Sequence, residues 1–387
     1  ADRSAHLNHD AAQLRAELAE KVSAARVAQA RWARTPIKRR LAIVRRFRRA
    51  IAADPHRLAE TVAHPQRRDF AETLGAEVLP LAQACEFLER NAGRLLRPRR
   101  LGRRGRPMWV GRTKTRIEHR PLGVVLVLAP FNYPLMLPGI QAIQALVAGN
   151  AVLLKPGRYG RFPAEALRAM MIGAGLDPQL ITVLDESVEV GRGAVFAGVD
   201  KVVLTGGVDA GRAVLHDCAD TLTPATMELS GNDAVIVDES ADVALAAHAC
   251  AFGLTLNSGA TCIAPRRLLV HRDVAPEFER QLLARLRETG EMAADPQAAR
   301  AAHELIEQAI DAGARIVTGG RFDSDERFAP TVLADVSPDM AITRRDLFVP
   351  VTSIMTVRDL DEAISVAARC PYALGTSIFA EQRLAQD

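Results

Sequence analysis

Cys262 lies in the run LNSGATCIAP, and Glu228 lies 34 residues earlier in PATMELSGN. Small neighbours, Asn257 to Thr261, leave the thiol uncrowded, so a carbonyl carbon could reach the sulfur while backbone N–H groups stay available for the negative charge that attack creates. A free cysteine is also a common core residue, and burial is the plainer alternative. Glu228 offers a carboxylate at a strand end. Asn132, set in APFNYP, could donate its amide to an oxyanion or simply form a turn between the prolines. Lys155, directly after AVLL, could hold hydroxyl or phosphate oxygens or face solvent. In LTGGVDAG, Gly206, Gly207 and Gly211 fall between a strand and a helix, where a phosphate can approach the helix's first N–H groups. The pattern is not GxGxxG, and glycine turns after strands are common.

The elements that must position these residues follow from periodicity. Residues 12–53 read as helical, with Ile37, Leu41, Val44, Phe47 and Ile51 on one face and arginines elsewhere. A second helical run covers 70–96. It leads into RLLRPRRLGRRGRP, with seven arginines between Arg94 and Arg106. No aromatic residues interleave to stack bases, so this stretch is read as a solvated connector rather than a phosphate or nucleic-acid surface. Next, MWVGRTKTRIEH reads as two short extended segments around Gly111, a protruding β-hairpin. From Gly123 the chain alternates GVVLVLA, an apolar helix to about 148, AVLLK, a helix from 164, LITVL, a helix near 190 and KVVLTG, the rhythm of a parallel α/β sheet. Such sheets bind ligands beyond the carboxyl ends of their strands, where Asn132, Lys155 and Gly206 fall. After Glu228 the alternation resumes: AVIVD, a helix over 242–254, the Cys262 loop, RRLLV, a helix from 274, a helix over 297–312, then ARIVTGG and PVTSIMTV as strands.

Composition agrees with an ordinary folded chain. Its 387 residues are 48% hydrophobic and 25% charged, enough for two or three domains, and its formal net charge of +4 is too small to argue for nucleic acid. Five cysteines without pairing intervals fit a reducing cytoplasm. No apolar run is long enough to span a membrane, and no CxxC or HExxH supports a metal site.

Taken in order, APFNYP, GNAVLLKP, LTGGVDAG, MELSGND, NSGATCIAPRR, DLFVPV and YALGTSIF resemble the NAD(P)-dependent aldehyde dehydrogenase superfamily, from about Trp32 onward. The spacings from Glu228 to Cys262 and from Asn132 to Lys155 are those the family uses. The resemblance implies a Rossmann-type parallel-sheet cofactor domain at 1–106 and 122–229, an oligomerisation hairpin at 107–121 and a second α/β catalytic domain at 230–387. It makes Cys262 the nucleophile, Asn132 with the Cys262 N–H the oxyanion hole and Glu228 the base. Lys155 would hold the adenosine ribose, Gly206 and Gly207 the pyrophosphate turn, and Asp346 and Phe348 the nicotinamide ribose, with Phe131 also among the cofactor-binding residues. Thiolate attack would give a thiohemiacetal, hydride loss a thioester and hydrolysis a carboxylic acid.

Departures bear on specificity. Arg158 stands where many NAD-preferring relatives carry glutamate, so a 2′-phosphate could be accepted if the side chain points inward rather than to solvent. Gly207 replaces a serine, Ala260 a glutamine, and Asp346 is one methylene shorter than glutamate. Relatives continue past the last block, so a C-terminally truncated member is expected. The expectations are a small-molecule aldehyde substrate, NAD or NADP as cofactor, no metal, no nucleic acid, no membrane, and a homodimer or homotetramer at full length. The alternatives are a relative that passes the thioester to coenzyme A, against which Glu228 counts, and a catalytically weak nucleotide-binding or scaffold protein.

Overall fold

The run VVLVL at Val124–Leu128 is apolar at every position, as suits a strand covered on both faces, and all of it is buried. It is the central strand of a five-stranded sheet in the computed structural model of the protein. Residues 2–63, 65–67, 69–102, 107–111, 113–320, 326–372 and 374–381 are described, residues 2–11 and 110 as backbone alone. Contacts divide the chain into two units, Ala1–Ala63 with Thr73–Glu228 and His64–Glu72 with Leu229–Asp387.

In the first unit, β1 (Arg99–Leu101) and β2 (Thr115–Ile117) form an antiparallel pair. The sheet comprises β3 (Val124–Leu128), β4 (Ala151–Lys155), β5 (Ile181–Val183), β6 (Lys201–Thr205) and β7 (Ala225–Glu228), in the order β5-β4-β3-β6-β7 and all parallel. The chain winds from β3 to β5 on one side and then returns to β6 on the other, so the strand order reverses between β3 and β6. In doubly wound sheets that reversal opens the ligand crevice.

Two expectations are corrected here. The helical run over 12–53 is two helices, Asp2–Ala33 and Ile37–Ala53, because Pro36 adopts extended backbone and starts the second. The hairpin arms do not flank Gly111 closely: Met108–Val110 is a short 3₁₀ turn, and β2 pairs with Arg99–Leu101 inside the basic stretch, which is therefore partly strand rather than wholly connector.

In the second unit, β8 (Asp233–Val237), β9 (Pro265–His271), β11 (Arg315–Thr318), β13 (Thr331–Ala334), β14 (Val351–Val357) and β15 (Thr376–Phe379) form a sheet in the order β11-β13-β14-β9-β8-β15, with only β11 antiparallel. β10 (Met292–Ala293) pairs with β12 (Arg327–Phe328) apart from it. Helices Val243–Thr255 and Ala275–Leu286 pack on one face, and Pro296–Asp311 and Leu360–Ala368 on the other. Asp242, Asp295 and Asp359 cap three of these helices by accepting N–H bonds from their first turns.

Candidate active site

In the first unit the candidate residues fall at the carboxyl end of the sheet. β3 runs into Pro130, Phe131 and Asn132, and Asn132 is only 3% exposed. The following helix, Met136–Ala148, has no side-chain cap from its own preceding residue. Glu77, fully buried in the π-helical turn Leu74–Val78, supplies one: its carboxylate accepts the N–H groups of Leu135 at 3.2 Å and Met136 at 2.7 Å. This fixes the segment that bears Asn132, and nothing in the local sequence marked Glu77 for that part.

Lys155 ends β4, half-buried, and burial lowers its pKa against the opposing pull of Glu186, Asp185 and Glu189. Beyond it, Gly157 packs so closely on the Pro130–Phe131 backbone that a Cβ would lie 2.5 Å from the Pro130 carbonyl. Arg158 then lays its guanidinium over the rings of Phe131 at 5.7 Å and Tyr159 at 5.1 Å, a cation–π stack that directs it toward the segment carrying Asn132. The Gly206 N–H is donated to the Glu228 carbonyl at 3.0 Å, which ties the turn to the end of β7. The donors at that turn are the first N–H groups of helix Val208–Thr221, whose N-cap Gly207 has no side chain to cap them, and a Cβ at Gly207 would meet open space. Glu228 is exposed at the end of β7.

In the second unit the chain before Cys262 passes through three successive left-handed residues, Asn257, Ser258 and Gly259. Non-glycine residues adopt this conformation only where their surroundings enforce it. Here the Glu72 carboxylate accepts the Asn257 N–H, the Ser258 hydroxyl donates to the Gln66 carbonyl at 2.6 Å, and the Asn257 amide donates to the Ala260 carbonyl at 3.1 Å. A Cβ on Gly259 would fall 2.4 Å from the Pro350 nitrogen, so only glycine allows this approach of the two loops.

Cys262 emerges half-buried at the head of β9, and its environment sets its acidity. Burial pushes the thiol pKa up and the Asp233 and Asp346 carboxylates add to that, while the N–H groups of Cys262 and Ile263 pull it down. Asp233 is itself pushed up to about 6 by burial, against the Gly375 N–H, which it accepts at 3.0 Å, and against Arg267 and Arg266. Cys85 and Cys250 contrast with Cys262: both are core thiols pushed up to about 12, chiefly by burial. All five cysteines are free.

Asp346 lies largely buried, its pKa raised by that burial and drawn back by Arg266, Ser230 and the Phe348 and Leu347 N–H groups. Phe348 adopts a left-handed φ of 41°, a rare conformation for a bulky residue. At the far end of β9, Glu239, His271 and Asp273 bring possible ligand atoms within 4.8 Å of one another, a group apart from Cys262. Among the described residues, no helix is long and apolar enough to cross a membrane.

The family model described as the aldehyde dehydrogenase family matches residues 5–386. The chain belongs to the aldehyde dehydrogenase family. Membership makes NAD(P)-dependent oxidation of an aldehyde its class of reaction and NAD or NADP its cofactor. The chain is 34% identical over 283 residues to 4,4'-diaponeurosporen-aldehyde dehydrogenase of Staphylococcus aureus, covering 71% of this chain and 61% of that protein. It is 32% identical over 378 residues to a putative succinate-semialdehyde dehydrogenase [NADP(+)] of Mycolicibacterium smegmatis, covering 94% of this chain and 72% of the relative. The solved indole-3-acetaldehyde dehydrogenase complexed with NAD+ superposes with a TM-score of 0.88 at 25% identity, covering 96% of this chain and 78% of that one. The first of these relatives is thus matched over less than two thirds of its own length.

Proposed function

We propose that this aldehyde dehydrogenase oxidises a small-molecule aldehyde to a carboxylic acid, with Cys262 as nucleophile, Asn132 and the Cys262 N–H as oxyanion donors, and Glu228 as the base that activates water. The supporting observation is the enforced left-handed turn Asn257–Gly259, which delivers a half-buried thiol with two N–H groups directed at its sulfur. The thiol releases its proton to solvent and the thiolate attacks the carbonyl carbon, forming a C–S bond as the C=O π bond breaks to give an oxyanion that the two donors stabilise. NAD(P), when bound, supplies the hydride acceptor. Glu228 then takes a proton from water so that hydroxide displaces the thiolate from the thioester and releases the acid.

The first unit is read as the cofactor-binding unit and the second as the catalytic one. The donor set of the first unit fits NAD(P): Lys155 and Arg158 are cations, the uncapped helix start at Val208 suits phosphate, and Gly157 admits close backbone approach. Lys155 is assigned to the adenosine ribose, Arg158 to a 2′-phosphate and the Gly206–Gly207 turn to the pyrophosphate, with Phe131 also assigned to the cofactor and Asp346 and Phe348 to the nicotinamide ribose. The five free thiols fit a reducing, cytoplasmic setting.

Mixing an aldehyde panel with NAD and with NADP and following reduced-nicotinamide absorbance tests the reading. Cys262→Ala is expected to abolish turnover, and Glu228→Gln to keep the first burst while slowing the steady state. Equal loss of burst and steady state in Glu228→Gln would contradict its role in hydrolysis.

A further inference from the structure

β9 carries two consecutive arginines directly after its first residue, Pro265, inside a strand that is buried throughout. Arg267 donates to the Asn232 carbonyl at 3.0 Å and the Ala367 carbonyl at 3.1 Å, which ties β9 to its neighbours. Arg266 does something different. One terminal nitrogen of its guanidinium donates to the Gly259 carbonyl at 2.5 Å, and the other donates to the Val349 carbonyl and, at 3.3 Å, to the Val351 carbonyl. Gly259 stands three residues before Cys262, and Val349 follows the strained Phe348 directly. The same two loops touch through their backbones at Gly259 and Pro350.

We propose that Arg266 is a positioning residue whose guanidinium staples the loop leading to Cys262 onto the 346–351 loop, holding the sulfur in register with the residues assigned to the nicotinamide side. The inference rests on the assignment of Cys262 as nucleophile. A planar fork satisfies acceptors on two loops at once, which a lysine's single ammonium cannot do in the same geometry. Arg266 is only 3% exposed, so truncating it leaves buried carbonyls without the donors it supplies. Asp346 and Asp233 supply the balancing charge. The consequence is that displacement of either loop is felt by the other.

Arg266→Lys and Arg266→Met, each checked for native circular dichroism, are compared with the parent in burst rate and in alkylation of Cys262 by iodoacetamide without cofactor. Because misplacement on the scale of 1 Å can cost about 100-fold, the burst should slow by about 10- to 100-fold in the order Met worse than Lys, while alkylation changes by less than about threefold. A folded Arg266→Met with the parent's burst rate overturns the proposal. So does an alkylation loss equal to the burst loss, which would place the effect on thiol reactivity instead of register. Should neither variant fold, hydrogen exchange of the unaltered chain decides: peptides spanning 256–263 and 345–352 should open together with the same free energy and slow together on addition of NADP. Independent opening overturns the staple. A parent chain lacking any burst would count against Cys262 as nucleophile, and independent opening of the two loops would still overturn the staple on its own.

Discussion

Cys262 rests in surroundings that favour the protonated thiol, and Asp233 is the side chain that most adds to the effect of burial. Above about pH 6 the Asp233 carboxyl is ionised and opposes thiolate formation; below that pH it takes a proton and the opposition fades. Asp233→Asn removes the charge while its amide oxygen can still accept the Gly375 N–H. The pH profile of Cys262 alkylation should therefore move to lower pH, with faster alkylation at pH 8, and an unchanged or raised midpoint would refute the coupling. Arg158 carries the cofactor choice. Its stack on Phe131 and Tyr159 holds a cation beside Lys155's strand end, so Arg158→Glu should lower the ratio of kcat/KM for NADP over NAD by about tenfold or more, equivalent to about 1.4 kcal/mol. An unchanged ratio would remove Arg158 from the cofactor's surroundings. The motif blocks pointed directly to Cys262, Glu228, Asn132 and Lys155, because their chemistry is carried by short runs with fixed neighbours. Asp233 and Arg266 sat within those same blocks unread, since a carboxylate and a guanidinium beside a motif look like surface residues until burial is known.

At the scale of elements, the parallel strands were legible because VVLVL, AVLLK, AVIVD and RRLLV are nearly continuous apolar runs of strand length. The Glu77 cap was not. In AETLGAEVLPLAQACEFLE a glutamate among apolar residues reads as the wet side of an α-helix, but the π turn over Leu74–Val78 adds a residue to the turn and shifts the register, so Glu77 is buried. Its carboxylate meets a helix start that its own N-cap residue Leu135 does not cap and that favours negative charge. Glu77→Ala would take the acceptor from the buried Leu135 N–H and the half-buried Met136 N–H and should destabilise the chain by about 1–3 kcal/mol in urea unfolding, with Glu77→Gln in between. The burst should also slow, because the segment released is the one that ends in Asn132's loop. Stability equal to the parent's in Glu77→Ala would show that other groups satisfy the helix start. The segment 64–72 illustrates a different limit: Gln66 and Glu72 hold the turn before Cys262 across more than 180 positions of sequence, and no local pattern announces a contact of that range.

For the whole molecule, the hairpin β1–β2 raises the question of assembly. Two-stranded ribbons are marginal in water unless something covers them. This one is exposed on every residue but Ile117, and its turn presents Met108 at 97% and Trp109 at 87% exposure. Large apolar side chains held that far into solvent suit an interface, and the assembly proposed here is a homodimer or homotetramer built through this hairpin. Burying one such aromatic contributes about 1.5–3 kcal/mol, and each 1.4 kcal/mol is tenfold in a dissociation constant. Met108→Lys with Trp109→Lys adds like charges beside Arg99 and Arg100 as well as removing apolar area, so the assembly should weaken by about tenfold or more, most of all at low salt where the added repulsion is least screened. Light scattering of the full-length protein across a dilution series measures this: the parent should hold a mass of two or four chains where the double variant falls to one. A parent that is already monomeric at the highest concentration would overturn the assembly, and a double variant with the parent's dissociation constant would move the interface away from the hairpin.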